Sequence, residues 1–294
     1  ANSWGPRLEY ILRNTVLTLT QVPGSTLPDV VKMLTDQKFR KTIYPKLKDG
    51  PILNFWLKEF DVLDERVRTE NIASILNKVG QFVNSPLIHN IINAPKSTLR
   101  LDDVLNSGKI LIANLSQGRL GEDNAALLGA MFITKLQLAA MSRVDMPKDQ
   151  RKEFFLYVDE FQNFATGSFI KILSEARKYG LGLILANQYI AQIPEEIQKA
   201  IFGNIGTSIC FVVGAEDARV MEFEFGGKFT QNNLVSLQKH QIAIKMTIDN
   251  QIHEPFQAST LPPLKSTNQN RDKVIQQSRN RYSTKRDQST KPSP

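Results

Sequence analysis

The chain has 294 residues, 41% of them hydrophobic and 22% charged, an ordinary globular composition with room for one large domain or two modest ones. A single cysteine excludes a disulfide framework, and His89, His240 and His253 stand at separations that match no zinc spacing. The net charge of +8 is uneven, because the segment from Lys265 onward carries eight basic and two acidic residues, which marks a basic tail suited to nucleic acid, to an anionic surface or simply to solubility.

In chain order, the stretch to about Ser85 is helical in pattern. Asp49-Gly50-Pro51 offers a helix start ahead of Ile52-Leu53-Asn54-Phe55-Trp56, since proline suits the first turn. Ile72, Ile75, Leu76, Val79, Phe82 and Val83 repeat along one helix face. Phe55 and Trp56 read as packing anchors of a small all-α subdomain over 1–98.

From Leu99 the pattern changes to short apolar runs separated by helices. The runs are 109–115, 154–159, 182–188 and 208–213; the helices are 124–141, 169–179, 195–202 and 216–225. Continuous apolar strands alternating with helices predict an α/β fold, a mainly parallel sheet with helices on both faces. Gln241 to Ile248 alternates apolar with polar residues and predicts an edge or antiparallel strand. Cys210 sits inside an apolar run and reads as a core residue. After Pro263 there is almost nothing to bury, so 264–294 is expected to be a disordered basic tail behind a domain over 99–263.

No stretch reaches the roughly 18 consecutive apolar residues of a bilayer span; the best, Ala125 to Met141, is interrupted by Lys135 and Gln137. The chain opens on Ala1 with no signal-peptide pattern, and reads as an excerpt.

The chemistry concentrates in Phe154-Phe155-Leu156-Tyr157-Val158-Asp159-Glu160, an apolar strand ending in two acids. At the carboxyl end of a sheet strand both acids would face a ligand. In a P-loop ATPase the first acid holds magnesium, commonly through water, and the second polarises the attacking water; a strand followed by a loop is the plain alternative. Arg177 lies in Ser174-Glu175-Ala176-Arg177-Lys178-Tyr179-Gly180, which also fits ordinary helix C-capping. Gln188 closes the next apolar strand, where an amide could meet a γ-phosphate or cap a loop.

The runs YVDEFQNF, SEARKYG and LILANQYIAQ together resemble the type IV secretion coupling-protein branch of the FtsK/HerA superfamily of RecA-like motors. The likeness extends through Trp4-Gly5-Pro6-Arg7-Leu8-Glu9, Asn54-Phe55-Trp56, Gly203-Asn204-Ile205-Gly206-Thr207 and Thr260-Leu261-Pro262-Pro263. The resemblance implies that Asp159 and Glu160 are the Walker B acids, with magnesium held by Asp159 through water. It implies that Gln188 is the sensor, that Arg177 is a finger reaching the neighbouring subunit's ATP, and that Arg7 is a second nucleotide or subunit contact. It further implies ATP-driven, sequence-independent DNA translocation by a hexameric ring, secretion-channel and relaxase partners, and a place at the cytoplasmic face of the inner membrane in a membrane-anchored parent. A protein-export ring ATPase and a non-catalytic assembly module are the alternatives.

One departure stands against the match. No G-x-x-x-x-G-K-[ST] occurs, so the backbone cradle for the β- and γ-phosphates is missing and truncation of a longer motor is the expected reason. Val212 and Val213 also stand where the family often has a basic residue.

Overall fold

The computed structural model describes residues 5–249, 251–265 and 267–283. Trp4 of the resemblance and 284–294 of the expected tail lie outside the described residues. The chain divides into two compact units, Ala1–Thr98 and Leu99–Pro294.

The first unit is helical: α1 (Pro6–Thr20), α2 (Pro28–Thr35), α3 (Gln37–Ile43), α4 (Gly50–Asn54), a π-helical turn (Phe55–Phe60), α5 (Glu65–Val83) and α6 (Pro86–Ile92). Asp49 caps α4 as its sequence predicts, accepting from the Ile52 N–H at 3.5 Å. Phe55 and Trp56 are buried and meet edge to face with centroids 4.9 Å apart. The indole N–H of Trp56 donates to Thr18 Oγ1 at 2.7 Å, which satisfies the one polar atom that ring brings into the core. Arg40 is also buried; its guanidinium meets Asp61 at 2.9 Å and donates to the Met33 carbonyl, while the Tyr44 hydroxyl takes the other Asp61 oxygen. Burial and then the Asp61 carboxylate raise the Tyr44 pKa.

The second unit contains α7 (Leu101–Asn106), α8 (Gln117–Leu120), α9 (Glu122–Met141), β1 (Phe154–Val158), α10 (Gly167–Glu175), β2 (Leu181–Leu185), α11 (Glu195–Asn204), β3 (Thr207–Cys210), α12 (Ala215–Glu224), α13 (Gln231–Val235), β4 (Gln241–Ile248), β5 (Gln251–Ile252), β6 (Phe256–Ser259) and α14 (Arg271–Tyr282). Strands β1 and β2 pair in parallel from Phe154 opposite Leu181 to Val158 opposite Leu185. Their core is closed by Leu101 and Leu105 of α7, Ile133, Leu136 and Ala140 of α9, and Phe169 and Ile172 of α10. By length and composition the helical span Glu122–Asp145 could cross a membrane, with a window of mean hydropathy 1.4. Within this unit its face of Ala125, Gly129, Ile133, Leu136 and Ala140 is buried.

The parallel sheet is smaller than the sequence pattern predicts. Of the four apolar runs, only two pair in parallel. The run 109–115 joins no ladder among the described residues, and Ile110 and Ile112 are 92% and 84% exposed while Leu111 packs on the core. Strand β3 pairs antiparallel with β4, so its run belongs to a second sheet. That sheet is built around β4, which also pairs with β5 and β6, making it antiparallel as expected but central rather than an edge. Burial in a run of apolar residues says that a strand is covered, but pairing direction depends on how the connecting chain returns. In the tail, residues 271–282 form α14 with no buried residue, where the composition predicts no order.

Arg143 holds the amino-terminal ends of β1 and β2 together. It is buried, and its Nη1 donates to the carbonyls of Lys152 (3.0 Å) and Tyr179 (2.8 Å), the residues just ahead of each strand; Nε donates to Asn106 Oδ1 at 2.9 Å. Hydrogen bonds from a charged donor contribute roughly 1.5–3 kcal/mol each, and the orphaned carbonyls would add to the cost of removal. Arg143→Ala is expected to destabilise the second unit by about 3 kcal/mol or more, read from the urea midpoint.

Cys210 is buried in the core of the antiparallel sheet, as its apolar run implies. Burial, and then the charge of Asp217, push its thiol up to about 11 from the ordinary 9.0. The folded state therefore holds this proton more tightly than the unfolded chain. That contribution is complete below about pH 9 and is lost as pH rises towards 11. At pH 9 alkylation of Cys210 should be slow in the native protein and fast in denaturant, and urea stability should fall between about pH 9 and pH 11.

Candidate functional site

Because β1 and β2 run in the same direction and in register, they end together. The ladder continues one step past both: Ala186 N donates to the Val158 carbonyl and Phe161 N to the Ala186 carbonyl, each at 2.9 Å. Asp159 and Glu160 thus leave the sheet on the same rim as Asn187 and Gln188. That carboxyl rim is where open α/β sheets hold their ligands.

Glu160 turns the chain sharply there, with φ 50° and ψ 46°. A non-glycine residue in the left-handed region costs about 1–2 kcal/mol and persists where neighbouring contacts fix it. Those contacts are visible on both sides. Asp159 Oδ1 accepts from the Glu160 N–H at 3.0 Å. After Glu160 comes a 3₁₀ turn, Phe161–Phe164, whose Phe161 is fully buried against Phe169 with centroids 4.6 Å apart. Phe164 lies on Gly129 of α9, so close that a β-carbon at 129 would come within 2.2 Å of the ring.

The side chains then converge. Glu160 Oε1 accepts from Gln188 Nε2 at 2.5 Å, and Glu160 Oε2 accepts from Gln162 Nε2 at 2.5 Å. In both, a neutral amide donates and the carboxylate accepts, so the acceptor's charge strengthens the bond. Gln162 Oε1 is buried without a hydrogen-bond partner. Asp159 is exposed beside this cluster, and its Oδ2 has no hydrogen bond among the described residues. A carboxylate held by two neutral amides is oriented as a proton acceptor, while an exposed carboxylate next to it suits a hard cation that keeps most of its water.

Three of the five sequence-predicted residues, Asp159, Glu160 and Gln188, are therefore brought to one rim. Arg177 is not. It lies in the 3₁₀ turn Ala176–Tyr179 ahead of β2, which Gly180 closes at φ 71°. A strand of five residues at about 3.3 Å each puts roughly 16 Å between the two ends of the sheet. Arg177 is exposed, with no side-chain hydrogen bond or ion pair found among the described residues. The capping reading is correct for Gly180 and describes the backbone here, but the side chain of Arg177 remains available. Arg7 belongs to the other unit, exposed on the first turn of α1, where Nη1 donates to Asn71 Oδ1 at 3.2 Å. Gln162, which sequence reasoning gave no role, is the residue it missed; its signal was a polar side chain between aromatic residues, directly after the paired acids.

Residues 153–240, which contain this whole rim, match a family model described as the TraM recognition site of TraD and TraG. That match covers less than a third of the chain. The fold of the chain is similar to solved structures of the plasmid coupling protein TrwB. In complex with ADP and Mg2+ that protein aligns at TM-score 0.62 with 12% identity, over 90% of this chain and 64% of its own. The complexes with a non-hydrolysable ATP analogue and with the GTP analogue GDPNP align at 0.62 and 0.60, with 12% and 11% identity. The chain spans 64% and 62% of the length of those two coupling-protein structures. No curated protein matches it.

The contact of Gly129 with Phe164 gives a direct test of how firmly the turn is seated. Gly129→Ala should gain about 1 kcal/mol of helix propensity but lose about 1–3 kcal/mol to overpacking against the ring. Net destabilisation is expected in thermal unfolding, with altered protection of the Phe161–Phe164 amides in hydrogen exchange.

Proposed function

We propose that the chain is the hydrolysis-bearing part of a ring-forming ATPase that drives DNA movement in conjugation or type IV secretion. The observation that carries this reading is the bracketed carboxylate of Glu160 on the carboxyl rim, with Asp159 exposed beside it and Gln188 reaching across from the next strand. On this reading Glu160 accepts the proton of the attacking water and Gln188 senses the terminal phosphate of ATP. Asp159 would hold magnesium through water, and its exposed oxygen fits a small hard cation that takes one or two carboxylates together with phosphate. Bound there, the ion would withdraw charge from the phosphate oxygens.

The phosphate cradle is supplied by none of these residues, so the chain alone should not turn over ATP. Arg177, exposed and at the far end of the sheet from Glu160, fits a guanidinium that serves an adjacent subunit's nucleotide rather than its own. Arg7 is a second candidate for such a contact. DNA would be held through its phosphates without base readout, by a hexameric ring at the cytoplasmic face of the inner membrane.

A second reading draws on the description of the matching family, which for TraD and TraG names a recognition site for TraM. Carried to this chain, residues 153–240 would also dock a protein partner, as the TraM site of TraD and TraG does.

In the parent protein, Glu160→Gln should bind ATP and hydrolyse it about 10²–10⁴-fold more slowly, because the amide cannot accept the water's proton. Near-normal turnover would remove Glu160 from the chemistry. Subunits carrying Arg177→Ala, mixed with subunits carrying Glu160→Gln, should recover part of the lost activity; no recovery would confine Arg177 to its own subunit. Salt-sensitive DNA binding separates a DNA motor from a protein exporter with the same active rim.

A further inference from the structure

We propose that Gln162 is the positioning residue of Glu160, keeping its carboxylate aimed while Gln188 leaves to contact the nucleotide. This rests on the reading of Glu160 as the base and Gln188 as the sensor.

The two amides that hold Glu160 are mounted differently. Gln188 is exposed in the segment after β2, and Glu160 is the one side-chain partner found for it among the described residues. Gln162 sits in the 3₁₀ turn between Phe161, buried against Phe169, and Phe164, seated on Gly129. One amide is therefore on a surface segment and the other on an anchored turn two residues from the acid it holds.

The orientation of Gln162 follows from charge. Its Nε2 faces Glu160 Oε2 and its Oε1 is left buried without a partner. Turning the amide over would set its oxygen against the carboxylate oxygen, two acceptors face to face. The side chain thus leaves one buried acceptor unsatisfied while its donor stays on Glu160, an arrangement that packing alone does not require.

The Nε2 of Gln188 carries two N–H donors, and turning to the phosphate would carry the whole amide, with the N–H now on Glu160, away from the carboxylate. When Gln188 turns to the terminal phosphate, Glu160 Oε1 loses its donor and becomes open to the proton of the attacking water. Oε2 stays bound to Gln162, so the carboxylate does not rotate away. ATP itself would thereby release the oxygen that acts as base, and the anchored amide would hold the other.

Two measurements test this. In the chain as it stands, the side-chain NH2 resonances of Gln162 and Gln188 should both shift in Glu160→Ala; a Gln162 signal indifferent to that change overturns the proposal regardless of function. In the parent protein, Gln162→Glu keeps the shape but replaces the donor with an acceptor, and Gln162→Leu removes hydrogen bonding altogether. Both should lower kcat for ATP hydrolysis about tenfold or more with KM little changed, as expected when nucleotide binding is intact but the base is no longer aimed at the water's proton. Full kcat in both, alongside an inactive Glu160→Gln, overturns the role of Gln162 alone. Full activity in Glu160→Gln overturns the reading of the base, and the role of Gln162 with it. If Gln162→Leu unfolds early, Gln162→Glu decides.

Discussion

The parallel pairing of β1 with β2, in register over five residues, is the constraint on which the rest of this unit depends. Parallel strands deliver both carboxyl ends to one rim, and a βαβ connection through α10 is what makes the pairing parallel. Everything chemical follows from that placement. Glu160 and Gln188 are 28 residues apart in sequence and 2.5 Å apart in space because their strands end together. The same geometry separates Arg177 from them, since a residue just ahead of β2 must lie at the opposite end.

Each end of the strand pair is fastened by a polar device suited to its surroundings. At the amino-terminal end, Arg143 is buried and bridges the two backbone carbonyls that precede the strands. Its Nε and Nη1 donors are taken up by structure, while Nη2 is buried without a partner. At the carboxyl end the fastening is a carboxylate between two amides, with Asp159 beside it exposed to solvent. The first arrangement is buried and structural. The second is built from groups that can exchange partners, and the aromatic turn of Phe161 and Phe164 is what keeps it in place when they do.

Much of the resemblance to coupling proteins lay in short local runs, and these are local facts. An apolar strand ending in two acids, a helix closed by basic residues and glycine, and a second strand ending in an amide are patterns of neighbours along the chain. Helix positions in the second unit followed the sequence to within a few residues, as for α9, α11 and α12, because one apolar face at helical spacing is sufficient to specify them. The strands were harder. Ile110 and Ile112 look like a covered strand in sequence, yet they are exposed and unpaired, because an apolar run says nothing of whether a partner strand is present beside it. The direction of β3 was likewise invisible, being set by β4 more than thirty residues later.

By itself the sequence determined helices such as α9, α11 and α12, the apolar strands β1 and β2 and the identity of the acids and amide, since those depend on residue type and on spacing within a few turns. Tertiary structure alone decided that Gln188 and Gln162 would close on the two oxygens of one carboxylate, that Arg177 would stand at the other end of the sheet, and that an arginine with no motif, Arg143, would hold the strand pair. The reason is physical: register and partner choice arise from contacts between residues far apart in the chain, and no local pattern records which oxygen a distant amide will reach.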